Sequence, residues 1–124
     1  MYSLISIFRS MPGQLTVSIY DKINSQNALG ITYNLYRVDN NANRINIKHD
    51  TINAYPYVLL QFDRIEELGS FELILDIENY FIEQFKENTH ENTKQLIIPF
   101  GVNELDKNEH LNIHITSDGY TCTL

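Results

Sequence analysis

The sequence predicts an α+β fold: a mostly antiparallel sheet of about six to eight strands, with one main amphipathic helix over about residues 70–87 packed against it. Three observations carry this expectation. Apolar residues alternate with polar ones through the first half, the spacing changes to a helical period in the middle, and a strong hairpin signal closes the chain. The strands-first order with a single helix argues against a doubly wound parallel sheet, and a β-sandwich or partly closed barrel with a flanking helix is the alternative arrangement. A length of 124 residues suits one domain, 1–124. The 43% apolar and 20% charged content is that of a folded globular protein.

The elements follow in chain order. Tyr2–Arg9 and Gln14–Tyr20 read as strands on either side of Met11-Pro12-Gly13-Gln14, where Pro12 and Gly13 suit the central positions of a type II turn. Leu15, Val17 and Ile19 share one face of the second strand, and Gln14, Thr16, Ser18 and Tyr20 share the other. A polar loop, Asp21–Gly30, leads to a strand at Ile31–Val38, with Ile31, Tyr33 and Leu35 on one side and Thr32, Asn34 and Tyr36 on the opposite one. Asp39-Asn40-Asn41-Ala42-Asn43 is a turn cluster, because Asn and Asp tolerate left-handed backbone. Short strands follow at Arg44–Lys48 and, after Pro56, at Tyr57–Phe62.

Asp63-Arg64-Ile65-Glu66 resembles a capping box, with Gly69 closing the short turn. From Ser70 onward Leu73, Ile74, Ile77, Tyr80, Phe81 and Phe85 fit the stripe of an amphipathic helix, and Leu75 and Ile82 widen it. Gln95–Phe100 returns to strand, and Pro99 assigns it to an edge or an end. Asp118-Gly119 signals a two-residue hairpin loop. That loop would pair Ser117 with Tyr120, Ile115 with Cys122 and Ile113 with Leu124, keeping apolar residues together on one face.

Composition narrows function. Cys122 is the single cysteine, so an intrachain disulfide, a CxxC redox pair and a cysteine zinc site are excluded, and a buried inert thiol is expected. None of the fourteen asparagines begins an Asn-x-Ser/Thr acceptor, and the cytoplasm is the expected compartment. The N-terminal segment lacks a basic region and reads as a strand rather than a signal peptide. No apolar run approaches the ~20 residues that span a bilayer. The net charge of −7 is uneven: residues 1–62 carry five bases and three acids, and residues 63–124 carry four bases and thirteen acids. Such a field repels phosphate backbones and would speed the approach of a basic protein.

The motifs that invite a chemical reading are incomplete. Asp39–Asp50 places oxygen side chains as a calcium-binding EF-hand loop does, but Arg44 stands where the glycine belongs and the flanks are strands. His90-Glu91-Asn92-Thr93-Lys94 starts like a zinc-protease helix and has Lys94 in place of the second histidine. His110 and His114 share a strand face about 13 Å apart, too far for one ion. No phosphate loop, nucleophile elbow or dinucleotide fingerprint is present.

On these grounds the sequence points to a non-catalytic protein-binding module, a small acidic inhibitor or immunity-type protein masking a basic partner such as a toxin nuclease, with no metal or cofactor. The candidate binding residues are Glu72, Asp76, Glu83 and Glu87 on the helix, Glu104, Asp106 and Glu109 near the C-terminus, and Tyr20 and Tyr36 on outward strand faces. A self-associating structural or assembly subunit, of phage or appendage type, is one alternative. The other is a small-ligand sensor or enzyme with a site between helix and sheet, using His49, His110, His114 or a carboxylate.

Overall fold

The computed structural model describes residues 13–86, 95–117 and 119–124. The chain runs β1 (Gly13–Asp21), β2 (Gln26–Asn27), β3 (Ile31–Val38), β4 (Arg44–Ile52), β5 (Tyr57–Phe62), β6 (Gly69–Asp76), α1 (Ile77–Phe85), β7 (Gln95–Val102), β8 (Glu109–Thr116) and β9 (Gly119–Thr123), with a 3-10 turn at Ile65–Glu67. The strands form two sheets, and the expected α+β class with mostly antiparallel pairing is what the structure has. The expected strand Tyr2–Arg9 and the turn at Pro12 lie outside the described residues, as do Glu87 and the His90–Lys94 motif. No helix among the described residues is long and apolar enough to cross a membrane.

In the first sheet β1 is central. It takes β5 and then β2 along one edge, both antiparallel, and β8 along the other edge in parallel, while β9 pairs antiparallel with β8. The second sheet has the order β4-β3-β6-β7 and is antiparallel throughout. Alternation buries one face of each sheet. Leu15, Val17, Ile19, Leu111, Ile113 and Ile115 from the first meet Ile31, Tyr33, Leu35, Phe71, Leu73 and Leu75 from the second in one continuous core. This is the sandwich arrangement, with the helix at the end of β6.

The helix expected over about 70–87 is corrected. Residues 69–76 are β6, and only Ile77–Phe85 is helical. Phe71, Leu73 and Leu75 are buried and alternate with less buried neighbours, and β6 bonds to β3 on one side and β7 on the other. A central strand satisfies its backbone from both neighbours, and that long-range pairing overrides a stripe that fits both periods. Asp76 is the true start of the helix: its Oδ1 accepts the Asn79 N–H across 3.1 Å. Lys86 ends the helix in the left-handed region, at φ 55°.

Two smaller corrections concern register and capping. In the terminal hairpin Thr116 pairs with Gly119, Ile115 with Tyr120 and Ile113 with Cys122, two residues away from the expected register. A shift of two preserves which residues share a face, so apolar still meets apolar. The acid that caps the 3-10 turn is Glu67 rather than Glu66, its Oε1 accepting the backbone N–H groups of Asp63 and Arg64. β4 also runs on to Ile52 as an edge strand, beyond the expected Lys48.

Candidate functional site

The parallel pairing of β1 with β8 assembles a polar surface from distant parts of the chain. Each strand spends its apolar alternate residues on the core, leaving Thr16, Ser18 and Tyr20 outward on β1 and His110, Asn112 and His114 outward on β8. The register sets Thr16 beside His110, Ser18 beside Asn112 and Tyr20 beside His114. Gln14, Thr116, Thr121 and Thr123 extend the same outer face. None of these ten residues is an acid, a lysine or an arginine, although the protein carries a net charge of −7.

At the centre His110 lies between two hydroxyls. Its Nδ1 is 2.7 Å from Thr16 Oγ1 and its Nε2 is 2.8 Å from Ser18 Oγ. Each hydroxyl has a second partner: Thr16 Oγ1 reaches the Glu109 carbonyl at 3.4 Å, and Ser18 Oγ reaches Asn112 Oδ1 at 3.2 Å. Two proton arrangements bond both ring nitrogens, and only the second also keeps the Thr16 bond to the Glu109 carbonyl. In one, Thr16 donates to Nδ1, Nε2–H donates to Ser18, and Ser18 donates to Asn112. In the other, Thr16 donates to the Glu109 carbonyl, Nδ1–H donates to Thr16, and Ser18 donates to Nε2, with the Asn112 amide turned to donate in its place. The second arrangement has a hydroxyl poised against an unprotonated imidazole nitrogen, and it sets the base in place through a third group. At one end of this row the Tyr20 and His114 rings lie 5.7 Å apart.

Sequence alternation placed Thr16 and Ser18 on one face and His114 outward, but their grouping with His110 was missed. The signal was alternation within each strand; the union depends on a contact spanning more than 90 residues. At the helix–sheet junction, the site offered by one alternative reading, Tyr80 and Phe81 are buried in the core and their rings pack with Phe85. His49, the remaining candidate histidine, bonds Asn34 on the second sheet.

Of the nine residues proposed as a partner surface, the eight that are described are spread out. Glu72 sits on β6 and pairs with Arg44 at 2.5 Å, and Asp76 caps the helix. Glu83 is exposed on α1, and Glu104 and Asp106 are exposed in the connection between β7 and β8. Glu109 begins β8, 3.6 Å from Lys107, with its Oε2 buried. Tyr20 and Tyr36 lie on different sheets.

Of the cation-site readings, Asp39 is a turn residue. Its Oδ1 accepts the N–H groups of Asn41 and Asn43, which holds its carboxyl below the ordinary range. Among the described residues no three His, Cys, Asp or Glu side chains cluster as metal ligands would.

Neither a protein-family description nor a curated protein matches the sequence. Solved structures do match. The crystal structure of (S)-allantoin synthase superposes with a TM-score of 0.76 at 16% identity, over 90% of this chain and 43% of that one. Transthyretin from Sparus aurata gives 0.70 at 14% identity, over 89% and 94%. The chain is similar in fold to transthyretin. Sea bream transthyretin in complex with thyroxine agrees, at 0.71 and 15% identity, over 89% and 92%. This chain therefore spans less than half of the allantoin synthase chain and nearly all of each transthyretin.

The transthyretin-like fold corrects the functional expectation. The inhibitor or immunity-type reading rested on charge and missing motifs, and its corollary was that the chain is no enzyme. The structures that share the fold include an enzyme, (S)-allantoin synthase, and a transthyretin holding thyroxine. Nothing among them supports an inhibitor, an immunity protein or a toxin–antitoxin component. Charge speaks to association and not to fold, which is why it misled.

Proposed function

We propose that this chain is a small-molecule enzyme on a transthyretin-like scaffold, performing acid–base chemistry on the outer face of the first sheet with His110 as the proton-transfer group. The observation that carries the reading is His110 itself, held at both ring nitrogens by hydroxyls at 2.7 and 2.8 Å while the residue stays exposed to solvent. Histidine exchanges protons near neutral pH, and hydroxyls that both donate and accept can hold the ring in either tautomer. The uncharged surroundings favour a neutral ligand that both donates and accepts hydrogen bonds. The allantoin synthase neighbour supports catalysis on such a scaffold.

A carrier without turnover is the second reading, favoured by the thyroxine complex of a neighbour. One experiment addresses both. Protein with 15N-labelled histidine is titrated with allantoin, hydantoin and thyroxine while the His110 ring signals are followed. Movement of His110 signals by one class, lost in His110→Asn, supports a ligand site here, and chemical change of that ligand separates enzyme from carrier. If no compound moves the His110 signals, the reading is wrong.

A further inference from the structure

We infer that Ser18 is a nucleophile, activated by His110, and that the reaction class of this face is hydrolysis of a small uncharged ester or activated amide through a Ser18-bound acyl group. The inference rests on the acid–base reading above and adds a covalent step to it. The geometry matches what such a step needs. Ser18 Oγ is 2.8 Å from His110 Nε2, His110 Nδ1 is 2.7 Å from Thr16 Oγ1, and Thr16 Oγ1 is 3.4 Å from the Glu109 carbonyl. Nucleophile, base and orienting group thus stand in one row, as covalent catalysis requires. Asn112 is 3.2 Å from Ser18 on its own register pair, so its amide nitrogen, when turned toward the site, meets the oxygen of a carbonyl attacked at Ser18.

The row is built of side chains on two adjacent strands of a sheet whose other face is core, so the backbone under it is held. Catalytic groups on strands keep their geometry better than groups on loops. A purely structural role explains it less well. These residues are outward, the core is complete without them, and a β-sheet face gains little from a serine and a histidine in place of β-branched or aromatic residues.

A bond forms between Ser18 Oγ and the carbonyl carbon, the Ser18 proton passes to His110 Nε2, and the carbonyl electron pair moves to oxygen. When the carbonyl re-forms, the bond to the leaving group breaks, and that group takes the proton from Nε2. Water then attacks the Ser18 ester and gives a proton to Nε2, which returns it to Ser18 Oγ as the acid departs. The net change is ester plus water to acid plus alcohol, with nothing oxidised or reduced. Thr16 is a positioning residue: it favours the tautomer with the proton on Nδ1.

The test uses a fluorophosphonate probe and p-nitrophenyl acetate on the intact protein, with peptide mass spectrometry to locate the adduct. The expected result is an adduct on Ser18, absent in Ser18→Ala and slowed about 100-fold or more in His110→Asn, the low end of what a positioned base contributes. Thr16→Val should slow labelling less and change its pH profile, whereas His49→Asn, on the other sheet, should leave it unchanged. Circular dichroism checks that each variant folds. No Ser18 adduct, or labelling of Ser18 indifferent to His110, overturns the inference. If His110 signals still respond to ligands in that case, the acid–base reading stands and only the covalent step falls; if they do not, both fall.

Discussion

The Tyr80 hydroxyl donates to Asp21 Oδ2 across 2.9 Å, tying the helix to the end of β1 inside the core. Asp21 is fully buried, and both its oxygens are occupied: Oδ1 accepts the N–H groups of Ile23 and Asn24, and Oδ2 also accepts from the Asn24 side chain. Burial, and next the Asp21 carboxylate it bonds, push the Tyr80 hydroxyl well above its ordinary range, so it is a donor at neutral pH. Tyr80→Phe is expected to cost about 1–3 kcal/mol by leaving an acceptor short of a partner. Asp21→Ala should cost more, since it strands several donors at once. Urea unfolding of both variants checks the order; equal stability to the parent would show that the contact contributes nothing.

β6 is a central strand whose Leu73 side chain is fully buried. Leu73→Ala is expected to lose about 2–5 kcal/mol through lost burial and the cavity left behind. Glu83→Ala, exposed on α1, should change stability by less than about 0.5 kcal/mol. Similar losses for the two would argue against the burial of Leu73 between the sheets.

The turn between β3 and β4 should loosen in acid. Backbone N–H donors to Asp39, Asn43 first, lower its carboxyl from the ordinary value of 3.8. A group depressed on folding stabilises above its unfolded value, and that contribution disappears as pH falls through the lower folded value. Amide exchange at Asn41 and Asn43 should therefore gain relative to the core amides below about pH 4 and be flat above about pH 5, the upper end of ordinary carboxylate titration. Uniform protection across that range would refute the proposed link.

Cys122 is half-buried opposite Ile113. Burial raises its thiol above the ordinary value, which lowers the thiolate fraction near neutral pH. Iodoacetamide should modify it more slowly in the folded protein than in urea, and labelling of the native chain at the unfolded rate would contradict this environment.

Much of the fold was legible locally. Alternation marked Ile31–Val38 and Tyr57–Phe62 as strands at the ends the structure shows, because an amphipathic strand declares itself within a few residues. Pro99 pointed to an edge, and β7 is one. The terminal hairpin was recognisable from Asp118-Gly119 together with its apolar pairing, though not its register. The candidate site was only half legible: the outward faces carrying Thr16, Ser18 and His114 could be read, but their neighbours across the sheet could not.

By itself, then, the sequence determined which residues share a face in β1, β3 and the terminal hairpin, where several turns fall, and that a strand-rich fold with one helix results. Tertiary structure alone decided that Gly69–Asp76 is a strand, because its stripe suits either period and only pairing with β3 and β7 breaks the tie. It alone decided that β1 and β8 run in parallel, and so that Ser18 and His110 meet. Local pattern sets the face a side chain occupies; hydrogen bonding between strands remote in sequence sets what it faces with.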